Sequence, residues 1–161
     1  MSRYAAKTEV SSSRSKAEIE TTVERYGAQQ FMSGWSTDGR ALVGFTMCER
    51  QVKFLLHLPR PDDERFTTYE RNGRKTLRTP DAARAQYEQA VRQKWRALAL
   101  VIKAKLEAVE SGISIFEDEF LANIVLPDGT LVGDNVRTQI AYAYKSGDVP
   151  LLLCSPEEVD D

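Results

Sequence analysis

The strongest constraint on this chain lies in residues 80–111. Tyr87, Val91, Trp95, Leu98, Ile102, Leu106 and Val109 recur at intervals of four or three, which at 3.6 residues per turn draws one apolar stripe about 100° wide. Thr79 stands where an N-cap belongs, Pro80 suits the first helical position, Asp81 suits the positive end of the helix dipole, and Gly112 supplies the exit. A helix from Pro80 to Ser111 with so long a stripe needs a second layer to bury it. The preceding residues supply that layer as a sheet.

Phe31, Ser33 and Trp35 alternate with neighbours of the opposite face, and Thr37-Asp38-Gly39-Arg40 is a hairpin turn signal. Ala41, Val43, Phe45 and Met47 then share one strand face. After a turn at Cys48-Glu49-Arg50-Gln51, Val52, Phe54, Leu56 and Leu58 share another, with Lys53, Leu55 and His57 opposite. Upstream, Ser15 and Glu18 have the spacing of a capping box for a helix carrying Ile19, Val23 and Tyr26, stopped by Gly27. Downstream, Ser114 and Glu117 suggest a second capping box for Phe116, Phe120, Leu121 and Ile124. Pro127-Asp128-Gly129 reads as a turn, and a last helix near Val132–Lys145 presents Val136, Ile140 and Tyr144.

The expected fold is therefore α+β: a three-stranded antiparallel meander packed by one long amphipathic helix, with shorter flanking helices. A chain of 161 residues is the size of one domain. Residues 1–15 are expected to be a flexible tail and 16–153 the domain, with Leu151-Leu152-Leu153 docking its end. Residues 154–161 are expected to be an acidic tail. No apolar run reaches membrane-spanning length, and the Ser-rich start has no apolar segment, so no membrane partner, no secretory leader and a cytoplasmic location are expected.

Charge is distributed unevenly. Residues 60–105 carry twelve Lys/Arg against six Asp/Glu, a balance of +6, whereas residues 106–161 carry two against twelve, a balance of −10. Within the basic part, Asn72-Gly73 is the pair that a type I′ turn favours, so a hairpin from about Phe66–Arg71 to Arg74–Arg78 is expected as an insertion over residues 60–79. Arg60, Arg65, Arg71, Arg74, Lys75 and Arg78 are interleaved there with Phe66 and Tyr69. Guanidinium groups neutralise phosphates and exposed aromatic rings stack on unpaired bases, so this mixture suits single-stranded or structured nucleic acid. Arg92 and Arg96, with Lys103, fall within about 40° of one another on the long helix and could extend that surface. Two bland readings stand beside it. The arginines can pair with Asp62, Asp63, Glu64 and Glu70 in a solvated loop, or Arg96 can clamp Glu107, Glu117 or Glu119 of the acidic part.

The runs RQKWRALALVIKAKLEAVESGISIFEDEFL (residues 92–121), YGAQQFMSGWS near the front and LPDGTLVG near the back resemble a family of small uncharacterised proteins encoded by bacteriophages, prophages and some bacterial chromosomes. The resemblance covers most of residues 16–153. It implies a bacterial cytoplasm as the setting and carries no site residues, since no function is attached to the family. An inhibitor or adaptor of a host protein is the competing function.

Enzyme chemistries are thinly represented. His57 is the only histidine, which excludes two-histidine metal sites, and Cys48 and Cys154 fit no metal or redox spacing and read as buried free thiols. The order helix–three strands–helix is shared with metal-dependent nucleases, but Gln51-Val52-Lys53 replaces their acid-x-Lys, and only Glu24 and Asp38 lie near where other ligands would be needed. No phosphate loop, dinucleotide fingerprint or nucleophile elbow is present, and neither a cofactor nor a metal is expected.

Overall fold

The computed structural model describes residues 5–149. Helix α1 (Ser12–Arg25) leads into a three-stranded antiparallel sheet, β1 (Gln30–Trp35), β2 (Arg40–Met47) and β3 (Arg50–His57), in the order β1-β2-β3. A single-turn helix α2 (Glu64–Thr67) and a separate two-stranded ribbon, β4 (Thr68–Arg71) and β5 (Arg74–Leu77), follow. Then come the long helix α3 (Pro80–Glu110), the short α4 (Phe116–Phe120), a 3-10 turn (Leu121–Asn123) and α5 (Val132–Ser146). This is the α+β arrangement expected, with the sheet packed against α3. No helix among the described residues is long and apolar enough to cross a membrane.

The period-2 pattern of β2 sets the core. Ala41, Val43, Phe45 and Met47 are buried and face Val52 and Phe54 of β3 on the same side of the sheet. The stripe of α3 contributes Trp95, Leu98, Ile102 and Leu106, and α1 adds Ile19 and Val23. Phe120 closes the far end, its ring edge-on to Phe45 at 5.8 Å and to Phe54 at 6.3 Å. Such T-shaped contacts set the negative face of one ring against the positive edge of the next. The segment after α4 also covers the outer edge of β3: the Val125 amide donates to the Gln51 carbonyl, and Asn123 Nδ2 to that of Lys53. Among the described residues, no strand pairs with the outer edge of β1.

Several local expectations are corrected. The N-cap of α1 is Ser11, whose hydroxyl accepts from the Arg14 amide, while Ser15 is fully buried inside the helix. The capping box fails because Glu18 is used elsewhere, in an ion pair with Arg96 on α3. Residues 5–10 are described as well, and Gln89 Nε2 donates to the carbonyls of Ala6 and Thr8, so that part of the presumed tail is tied to α3. The helix α4 begins after Ile115 with no side-chain cap, which removes the Ser114–Glu117 box. In the turn between β2 and β3 only Cys48 and Glu49 lie outside the strands, and Cys48 is exposed rather than buried. Helix α5 forms over the expected range, yet none of its residues is buried; Ile140 and Tyr144 face solvent. The expected docking of Leu151-Leu152-Leu153, residue Cys154 and the acidic tail lie outside the described residues.

Candidate nucleic-acid interface

The basic segment folds as the Asn-Gly signal requires. Asn72 and Gly73 have φ of 51° and 71°, so both central positions of the turn are left-handed, and Arg71 pairs with Arg74 across it. The register that follows is decisive for charge. Tyr69 stands opposite Thr76 and Arg71 opposite Arg74, while Thr68 meets Leu77 and Glu70 meets Lys75. Side chains alternate along each strand, so Tyr69, Arg71, Arg74 and Thr76 share one face and Glu70, Lys75 and Leu77 the other. Arg78 continues the first face, its guanidinium 5.4 Å from the Tyr69 ring centre. Lys75 pairs with Glu64 at 2.6 Å on the opposite face. The ribbon therefore sorts its residues into a face carrying three arginines and a tyrosine, with the carboxylates of Glu64 and Glu70 on the other.

The other candidates have different surroundings. Arg60 pairs with Asp62 at 3.4 Å and Arg65 with Asp63 at 3.2 Å, both exposed. Such exposed pairs hold their partners weakly. Phe66 is not a stacking surface: it is buried, edge-on to Tyr87 of α3 at 5.9 Å, and capped by the Arg65 guanidinium 4.5 Å from its ring centre. It anchors the foot of the ribbon to the long helix. Arg92 donates twice to Gln89 Oε1, at 3.1 and 2.6 Å, and Arg96 engages Glu18 across the α1–α3 interface. Those two arginines brace helices. Arg71 and Arg74 are exposed, and among the described residues neither has a carboxylate within ion-pair distance. The Nε of Arg78 is buried without a hydrogen-bond partner.

The clamp between the basic and acidic parts is made by Lys105, which the sequence did not single out. Its Nζ donates to the Glu119 backbone carbonyl at 2.5 Å, lies 3.4 Å from the Glu119 carboxylate and sits over the Phe120 ring. Glu107 instead accepts from the Tyr26 hydroxyl, and that hydrogen bond raises the tyrosine's pKa above its ordinary value. Among the described residues no three His, Cys, Asp or Glu side chains converge as a cation site. His57 is exposed at the end of β3.

Next to Tyr87, against which Phe66 packs, lies a cleft of about 840 Å³ that no sequence signal indicated, because its walls come from α1, the β1–β2 turn, residues 58–62 and α3. Trp35 lines it and is 73% exposed, and Trp95 lies at its inner side beneath Lys16, whose Nζ is 4.5 Å from the indole centre. No protein-family model, no curated protein and no solved structure matches this chain.

Proposed function

We propose that this protein is a non-enzymatic accessory protein that binds nucleic acid through the β4–β5 ribbon. The single observation carrying this reading is the sorting of charge: Arg71, Arg74 and Arg78 share a face with Tyr69, while Glu64 and Glu70 lie on the other. The exposed guanidinium groups of Arg71 and Arg74 contribute affinity by releasing counterions from phosphates, and the half-exposed Tyr69 adds a surface for a base. Arg60 and Arg65, on the segment before the ribbon, are held only by exposed ion pairs that phosphates can displace. The bacteriophage setting rests on the sequence resemblance alone.

A protein-binding reading has its own support in α5, where Ile140, Tyr142 and Tyr144 are exposed on a helix with no buried residue. The two readings separate by salt. Titration of labelled single- and double-stranded DNA and RNA at low and moderate ionic strength should show binding that weakens steeply with salt. Arg71→Ala/Arg74→Ala should lower the slope of log K against log salt by about two, one for each phosphate no longer neutralised. Absence of binding at low salt would sink the nucleic-acid reading.

A further inference from the structure

The cleft next to Tyr87 differs from the ribbon in charge and in composition. Lys16 and Arg60 are balanced by Asp38 and Asp62, so its walls are close to neutral. Both carboxylates are occupied: Asp38 accepts from Arg40 Nε at 2.6 Å and from the Ser36 hydroxyl, and Asp62 pairs with Arg60. The Ser36 hydrogen bond, ahead of the contribution from Arg40, holds the Asp38 carboxyl below its ordinary pKa and keeps it ionised. The distinctive groups of this cleft are aromatic. Trp35 follows the alternation of β1 toward the core side, opposite buried Ala41, but it lies at the end of the sheet and stays largely exposed. An uncovered indole beside a cavity within the usual size of small-molecule sites, about 300–1,000 Å³, is a surface for a flat ring.

Position links this cleft to the foot of the ribbon. Tyr87 lines the cleft on one side and packs against Phe66, at the foot of the ribbon, on the other. Arg60 and Pro61, on the segment leading into α2, also line it. We propose that the cleft receives one unpaired base of a single strand, stacked on Trp35, while the arginine face of β4–β5 holds that strand's phosphates. This inference rests on the nucleic-acid function proposed above and narrows its ligand to a strand with an unstacked base. The neutral cleft takes the uncharged ring and the ribbon takes the charge. Lys16, already stacked over Trp95 and without an ion-pair partner among the described residues, lies at the wall where a base edge or its sugar would enter.

The test compares two probes of equal charge, an oligothymidylate of about ten nucleotides and an abasic phosphodiester chain of the same length. Fluorescence anisotropy at low salt would follow both with the wild-type protein, Trp35→Ala, Trp35→Phe and Arg71→Ala/Arg74→Ala. The wild type should bind the base-bearing chain on the order of tenfold more tightly than the abasic one. Trp35→Ala should remove most of that preference, leaving only what Tyr69 contributes, Trp35→Phe should keep most of it, and the arginine variant should weaken both probes. Equal wild-type affinity for the two probes would overturn the cleft's role and leave the ribbon reading intact if the arginine variant still weakened both. A preference undiminished in Trp35→Ala would overturn it as well. Failure of both probes to bind would remove the ribbon reading, and the cleft inference with it. Should Trp35→Ala misfold by circular dichroism, Trp35→Leu, which keeps apolar volume without a ring, decides the same question.

Discussion

Two hairpins in this molecule close through the same turn and obey different constraints. Between β2 and β3 the central residues are Cys48 and Glu49, with φ of 50° and 59°; between β4 and β5 they are Asn72 and Gly73, with 51° and 71°. Left-handed backbone costs an ordinary L-residue roughly 1–2 kcal/mol. The first hairpin tolerates that cost because its strands are zipped over eight residues each and bury Phe45, Met47, Val52 and Phe54. The second has four-residue strands, neither with a buried residue, and an isolated two-stranded ribbon is marginal in water. It needs the residues that favour the turn, and it needs an anchor. Turn chemistry is thus most demanding where tertiary packing contributes least.

The comparison is easiest to break at the anchor. Phe66→Ala should cost about 3 kcal/mol, the usual loss for a buried phenylalanine, and should free the ribbon from α3. In hydrogen exchange, amides 68–77 would lose protection while β2 and α3 keep theirs. Next comes an exchange of turns. Asn72→Ala/Gly73→Ala puts two left-handed positions on alanine, and the ribbon should unfold locally with a matching fall in nucleic-acid affinity. Cys48→Asn/Glu49→Gly should do the reverse, raising global stability by about 1 kcal/mol in denaturant titration. Equal responses of the two turns would contradict this contrast.

The smallest effect concerns a third turn, at Pro127-Asp128-Gly129. The Thr130 hydroxyl, and after it the Thr130 amide, donate to Asp128 and hold its carboxyl below the ordinary value. A lowered folded-state pKa contributes stability that is fully present above the carboxylate's ordinary pKa and is lost as pH falls through the lowered value. Denaturant midpoints measured below about pH 4 should therefore decline less in Asp128→Asn than in the wild type. Because this turn carries the strand-like cover of β3, the wild-type loss should appear there first.

Periodicity carried most of the architecture. The stripe of α3, the alternation of β2 and β3 and the Asn-Gly turn are repeats over a few residues, and each forms as its spacing predicts. The sorting of arginines on the ribbon was also implicit, since it follows from register once the turn is placed. What the sequence alone could not decide was which partner a polar or aromatic side chain would find. The capping box read at Ser15 and Glu18 gave way to a cap at Ser11 because Glu18 is drawn to Arg96, 78 positions away. Phe66 looked like a stacking ring until Tyr87 covered it, and nothing in the alternation of β1 marked Trp35 as the exposed wall of a cleft. Backbone repeats are fixed by local sterics and hydrogen bonding. Pairings between distant side chains depend on which surfaces the folded chain brings together, and only the tertiary structure specifies that.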